Sequence, residues 1–197
     1  NNTLHKRLLD AGFENSLNDH CVYIKKVGNS VIILLVWVDD IIISAPNIKE
    51  MNIIKRALSD HFKIKDLGVL NYFLGIQFEF KDGSITMNQS KYVEKILERF
   101  NMSDCKPKNI PCDLSVNNYR DCNSTYLEDN SLYREIVGSL IYIMTCTRPD
   151  ICYSVSKLSQ KLSKPTVQDL NLAKFTLKYL KGTANYGLTF NKLNKIQ

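Results

Sequence analysis

Two adjacent carboxylates, Asp39 and Asp40, lie between apolar runs in the stretch VIILLVWVDDIIISA, from Val31 to Ala45. Ionised carboxylates are hard oxygen ligands, suited to a divalent cation such as Mg²⁺ or Mn²⁺. Buried without partners they are strongly destabilising, so acids framed by this much Val, Ile and Leu require cations, donors or a water-filled cleft. Successive strand residues point to opposite faces, so both acids reach one site only where the chain turns. A plain solvated turn competes with this, because Asp tolerates turn conformations. Two-residue hairpin turns nevertheless favour Asn-Gly or Asp-Gly, and no glycine is present here. The expectation is two buried strands joined at the acids, one carboxylate aimed at a metal and the other beside it.

The elements that must position this pair follow from pattern. Leu4, Leu8 and Leu9 recur at helical spacing from Thr3 to Gly12, with Gly12 as the C-terminal stop. Cys21 to Lys26 alternates, and the VGNS turn joins it to the Val31 strand as a hairpin. After Pro46, Asn47 caps a helix over Ile48 to His61 whose stripe is Ile48, Met51, Ile54, Leu58 and Phe62. Lys63 to Leu67 reads as a short strand or turn. Asn71 to Phe80, the turn Lys81-Asp82-Gly83-Ser84 and Ile85 to Asn88 form a second hairpin, and Gly75 inside its first strand predicts a bulge or a close backbone approach. Ser90 caps a helix to Phe100. The Pro-, Asn- and Asp-rich segment 105–130 reads as a linker or long loop. Helices follow over Ser131–Thr145, Pro149–Leu162 and Thr166–Lys181, and Arg148 and Asp150 fix the corner at Pro149 by capping and pairing. On the last helix Lys174, Lys178 and Lys181 share one face, opposite Leu170, Ala173, Leu177 and Leu180. The fold class is α+β.

The 197 residues carry a net charge of +6, from 26 basic and 20 acidic side chains, which leans toward a polyanionic partner. Neither apolar run approaches the roughly 20 residues of a membrane span. Cysteines at 21, 105, 112, 122, 146 and 152 include no CxxC pair, so neither zinc nor a disulfide framework has the right spacing and a reduced, intracellular context is expected. The first residues, NNTLHKR, show no initiating Met and no targeting pattern, which reads as a chain beginning inside a larger frame.

Trp37-Val38-Asp39-Asp40 between apolar strands resembles the Tyr-x-Asp-Asp hairpin of reverse transcriptases, and the surrounding chain is similar to the copia type of LTR retrotransposon. The phrases KDLGVLNYFLGIQ (65–77), YREIVGSLIYIMTCTRPDICYSV (133–155) and LKYLKGT (177–183) occur in that family's order. The resemblance implies a partial polymerase palm with a primer-grip hairpin over 1–88, a thumb-entry helix over 89–104, the linker over 105–130 and a helical thumb or connection region over 131–197. It implies RNA- and DNA-templated DNA synthesis in the parent, with Asp39 as metal ligand, Asp40 as its helper, and Trp37 and Val38 positioning primer or nucleotide. The resemblance makes Phe73, Leu74, Gly75 and Ile76 a primer grip, with plain sheet packing as the alternative; Lys174, Lys178 and Lys181 read first as a solvated helix face and, if they meet nucleic acid, would contact phosphates without reading sequence. The partners implied are RNA/DNA primer-template and dNTPs, with upstream fingers and palm and downstream RNase H segments of a polyprotein, in the cytoplasm within a virus-like particle, and no membrane.

Two departures from the family matter. Transfer by two metals needs a third carboxylate, which the family carries on an upstream palm strand; Asp10, Glu14 and Asp19 do not match that motif. Trp37 stands where Tyr is common, keeping the ring and losing the phenol oxygen. The expectation is therefore a fragment inactive alone, binding Mg²⁺ or Mn²⁺ only if the missing carboxylate is supplied. The competing classes are a non-catalytic nucleic-acid-binding protein made from a transposon piece, and another palm-type enzyme such as a nucleotidyl cyclase, against which the thumb-like phrases argue.

Overall fold

The computed structural model describes residues 2–112 and 125–192. The chain divides into two compact units, Asn1–Leu70 and Asn71–Gln197. The architecture is α+β, with one antiparallel four-stranded sheet in each unit.

In the first unit, α1 (Asn2–Asp10) ends where Gly12 takes a φ of 82°, freeing the Phe13 amide to bond back to Leu8. The strands β1 (Glu14–Asn15), β2 (Val22–Val27), β3 (Ser30–Trp37) and β4 (Asp40–Ser44) pair in sequence order. The VGNS turn is two residues long, closed by Val27 against Ser30. α2 (Ile48–Ser59) starts at Asn47, whose side chain accepts the Glu50 amide at 2.9 Å as an N-cap. Leu8, Phe13, Tyr23, Ile32, Leu34, Val36, Ile54 and Leu58 form the core. Each such side chain contributes about 1.5–3 kcal/mol by leaving water.

The expected pair of fully buried strands is corrected here. Ile32, Leu34 and Val36 of β3 are buried, whereas Val31, Ile33 and Trp37 on its other face are exposed. The helices of this unit cover one side of the sheet, and the alternation of β3 hands the remaining apolar side to solvent. Lys63–Leu67 forms no strand; Asp66 there pairs with Lys55 at 2.8 Å and caps the Gly68 amide.

The second unit begins with β5 (Tyr72–Phe73), β6 (Ile76–Lys81) and β7 (Ser84–Asn88), followed by α3 (Ser90–Arg99). α4 (Ser131–Cys146), a short 3₁₀ turn (Pro149–Ile151), α5 (Cys152–Ser159) and α6 (Val167–Gly182) follow, and the unit ends with β8 (Gly187–Asn191). The core lies among α3 to α6: Val93, Ile96, Tyr133, Ile136, Leu140, Ile143, Ile151, Val155, Ala173, Leu177 and Leu180 are almost completely enclosed. α6 opens with a reciprocal capping box between Thr166 and Asp169.

Several expectations change in this unit. β8 is a strand within a stretch expected to be helical to its end, and it pairs antiparallel with β7 from Ser84↔Asn191 to Asn88↔Gly187. That pairing ties the β5–β7 hairpins to the C-terminal helices, so the break between units falls at 70/71, whereas the sequence grouped this hairpin with residues 1–88. Register puts Phe73, Ile76, Phe78, Phe80, Ile85, Met87, Leu188 and Phe190 on one face of the sheet. The other face carries Gln77, Glu79, Thr86 and Thr189, with the two threonine hydroxyls 3.1 Å apart.

Ser90 is not the cap of α3 but its first residue. Gln89 holds the cap position without a side-chain capping bond, and Gln77 of β6 accepts both the Ser90 hydroxyl and the Lys91 amide instead.

The expected linker is anchored at both ends. Lys108 donates its amide to the Lys178 carbonyl, the Thr176 hydroxyl reaches the Pro111 carbonyl, and Tyr126 bridges Thr166. A proline-bearing segment without a sheet partner finds its hydrogen bonds along α6. Residues 113–124 of that segment lie outside the described residues. Arg148 and Asp150 pair across Pro149 as expected, whereas Arg148, at the cap position of the 3₁₀ turn, makes no side-chain capping bond.

Candidate functional site

The β3–β4 turn is two residues long. Trp37 pairs with Asp40, leaving Val38 and Asp39 as its corners. Val38 has a φ of 53°, a left-handed conformation that a β-branched residue adopts only under constraint. The equivalent corner of the β2–β3 turn is a glycine, Gly28, at a φ of 58°. Strain of this kind amounts to roughly 1–3 kcal/mol and concentrates at functional turns.

Its consequence is that Asp39 and Asp40 are both exposed, and among the described residues neither carboxylate has a hydrogen bond or ion pair. The turn lifts the two charges clear of the isoleucines that follow, so no burial penalty arises. Val38 is 72 % exposed, so packing does not explain the choice of valine. Val38→Gly is expected to raise the stability of this unit by about 1 kcal/mol, the relieved strain exceeding the added freedom of the unfolded chain. Urea titration followed by Trp37 fluorescence checks it, and a lower midpoint would contradict it.

The second turn of interest is Leu74-Gly75, closed by Phe73 against Ile76. Leu74 has a φ of 49° and Gly75 a φ of 80°, so both corners are left-handed, as in the type I′ turns that match strand twist. The strand expected over Asn71 to Phe80 is therefore two strands, and Gly75 marks a turn rather than a bulge. The close neighbour at this position is a side chain and not the expected second backbone: a Cβ on Gly75 would lie 3.0 Å from the Tyr142 hydroxyl. That hydroxyl donates to the Leu74 carbonyl, and the Tyr142 ring meets Tyr92 edge-on at 5.0 Å. Burial, then the neighbouring Cys146, pushes the Tyr142 hydroxyl up to about 12, so it stays a donor at neutral pH. Phe73, Leu74, Gly75 and Ile76 thus form a hairpin tip fastened to α4.

A model of the family described as reverse transcriptase (RNA-dependent DNA polymerase) matches residues 1–114. This chain belongs to the reverse transcriptase family. It is 37 % identical over 195 residues to the retrovirus-related Pol polyprotein from transposon RE1 of Arabidopsis thaliana, covering 98 % of this chain and 13 % of the polyprotein. The polyprotein from transposon TNT 1-94 of Nicotiana tabacum is 36 % identical over 181 residues, covering 88 % of this chain and 14 % of its own. A mitochondrial protein of Arabidopsis thaliana is 40 % identical over 163 residues, covering 83 % of this chain and 67 % of that protein. No solved structure matches. These relatives place the chain with copia-type retrotransposon Pol polyproteins.

In this reverse-transcriptase chain the Asp-Asp turn lies in the first unit and the Phe73–Ile76 tip in the second. No third His, Cys, Asp or Glu groups with Asp39 and Asp40 among the described residues. Of the α6 lysines, Lys174 and Lys178 are half-buried. Lys181 is engaged internally, donating to the Ser103 and Cys105 carbonyls at 2.5 and 2.7 Å. Ala173, Leu177 and Leu180 face the core as the helical spacing predicts. The left-handed Val38 had no sequence signal, because its residue type argues against that conformation. No described helix is long and apolar enough to cross a membrane.

Proposed function

We propose that this chain supplies the aspartate turn and the primer-holding hairpin of an RNA-directed DNA polymerase, and that it does not polymerise alone. The carrying observation is the constrained, solvent-facing turn at Val38, which presents the Asp39 and Asp40 carboxylates without a side-chain partner among the described residues. In this reading Asp39 ligates a divalent ion, Asp40 stands beside it, and Trp37 and Val38 position primer or nucleotide. The ions supply activation of the primer hydroxyl and neutralisation of the triphosphate. Two carboxylates on one turn do not satisfy two octahedral ions, so further oxygens must come from outside this turn. Among the described residues β4 is the edge strand of its sheet, the position at which a further strand could bring one. The 71–197 unit contributes the Phe73–Ile76 tip, its shape set by Tyr142. The partners proposed are a primer-template, dNTPs and neighbouring polyprotein segments.

Two measurements on the purified 197-residue chain test this. At millimolar Mn²⁺, where a site lacking its third carboxylate fills only fractionally, the amide signals of Val38, Asp39 and Asp40 in ¹⁵N-labelled protein are expected to broaden selectively, and Asp39→Asn to abolish the effect. Broadening that survives Asp39→Asn overturns the ligand assignment. With Mg²⁺, primer-template and dNTPs, no sustained extension is expected; robust extension overturns the claim that the chain is inactive alone.

A further inference from the structure

The α6 lysines are half-buried and Lys181 is occupied, but a different basic surface stands free. No Asp or Glu occurs from Ile151 to Gln168, while Lys157, Lys161 and Lys164 do, and all three are exposed. Tyr153 and Lys157 sit one turn apart on α5, with the Lys157 ammonium 5.8 Å from the Tyr153 ring centre. Past the end of α5 the Lys164 ammonium lies 4.3 Å from the ring centre of Tyr126. Tyr126 is fixed there because it bridges Thr166 and its neighbour Leu127 donates its amide to Pro165. Arg134 adds a fourth cation, its Nε donating to the Leu162 carbonyl. The two rings are 54 % and 53 % exposed.

We propose that this surface, Tyr126 with Tyr153, Lys157, Lys161 and Lys164, holds single-stranded nucleic acid. It lies outside the matched residues 1–114, and it rests on the polymerase reading only for the class of its partner. The lysines neutralise successive phosphates, and the exposed rings offer stacking faces that any unpaired base can use. Duplex keeps its bases stacked inside, so it would use the lysines and leave the rings idle. An acidic peptide would likewise have no use for the rings. An exposed lysine–ring contact is weak, so an arriving base displaces the ammonium to the adjacent phosphate at little loss.

The test is fluorescence anisotropy on the 197-residue chain with a labelled twenty-nucleotide oligo(dT), a blunt duplex of the same strand length, and polyglutamate as a polyanion control. The triple variant Lys157→Glu, Lys161→Glu, Lys164→Glu is expected to bind the single strand at least about tenfold more weakly. The slope of log affinity against log salt should fall by about 2, from three contacts at about 0.7 each. The pair Tyr126→Ala, Tyr153→Ala is expected to weaken single-strand binding about tenfold and leave duplex binding unchanged. These side chains are exposed, so melting should stay within a few degrees in both variants. Single-strand binding unaffected by either variant set overturns the proposal, as does polyglutamate competing as well as oligo(dT). The anisotropy is read without any divalent ion, so a failed Mn²⁺ result and a failed strand-binding result remain separate outcomes.

Discussion

Arg148→Ala is expected to destabilise the 71–197 unit by about 3–5 kcal/mol, the range for removing one partner of a buried pair and leaving a cavity. Arg148 is 2 % exposed. Its Nε and Nη2 donate to the two Asp150 oxygens at 2.9 and 2.8 Å, and Nη1 and Nη2 donate to the carbonyl and hydroxyl of Thr183 at 2.7 and 2.6 Å. The guanidinium also lies 5.4 Å from the ring centres of both Tyr179 and Tyr186. Residues of the α4–α5 corner and of the α6–β8 connection therefore converge on one cation. Asp150→Asn keeps the shape but removes the charge pairing and one of the two acceptor oxygens, and because the Asp150 side chain is 36 % exposed its cost should fall below that range.

The same group sets a pH dependence. Burial alone would raise the Asp150 carboxyl, but hydrogen bonds from Arg148 and Tyr179 and the guanidinium charge hold it below its usual value. A depressed folded value means that its stabilisation is fully present above the unfolded carboxylate value of about 3.9 and fades as pH falls through the folded one. Urea titrations of helical circular dichroism at pH 7 and pH 3 should show the gap between wild type and Asp150→Asn closing at the lower pH. Trp37, the only tryptophan, reports the other unit in the same samples. A gap that stays constant would remove Asp150 from the account.

What the sequence disclosed depended on how local each cause was. The Asp-Asp turn was legible because acids between apolar runs have few physical outcomes, and helices α2 to α6 because their stripes and stops lie within each segment. Gly75 was visible yet ambiguous: Leu-Gly lacks the Asn or Asp that advertises a type I′ turn, and the deciding contact, with Tyr142, comes from far along the chain. β8 went unread because its partner lies about a hundred residues earlier, as the Ser84–Asn191 hydrogen bond shows. Periodicity placed Lys181 on the right face of α6 but is blind to side-chain reach, and its ammonium extends to the 103–105 carbonyls. Val38 is the opposite case, where the residue type argued against the backbone it adopts.

Gly187→Ala is expected to be nearly as damaging as the loss of Arg148, about 3 kcal/mol, at the upper end of what overpacking costs. Gly187 stands opposite Asn88 at the inner end of the β7–β8 ladder. A Cβ there would collide with the Met87 carbonyl oxygen and lie 2.9 Å from the carbonyl carbon. Backbone is on the other side of that clash, so no side chain can swing away, and β8 must shift or detach. Detachment would leave Ile85 and Met87 of β7 without Phe190 and Leu188 beside them, which adds exposed apolar area to the lost ladder bonds. Hydrogen exchange distinguishes this from general unfolding: amides of β7 and β8 that bond to each other should lose protection, while the β6–β7 amides and α4 keep theirs. Gly138 supplies the control of opposite sign. It lies inside α4 with nothing within 4 Å of an added Cβ, so Gly138→Ala should stabilise by up to about 1 kcal/mol through helix propensity alone. If Gly187→Ala behaved like Gly138→Ala, β8 could not be packed against β7 in the register that joins the two ends of this unit.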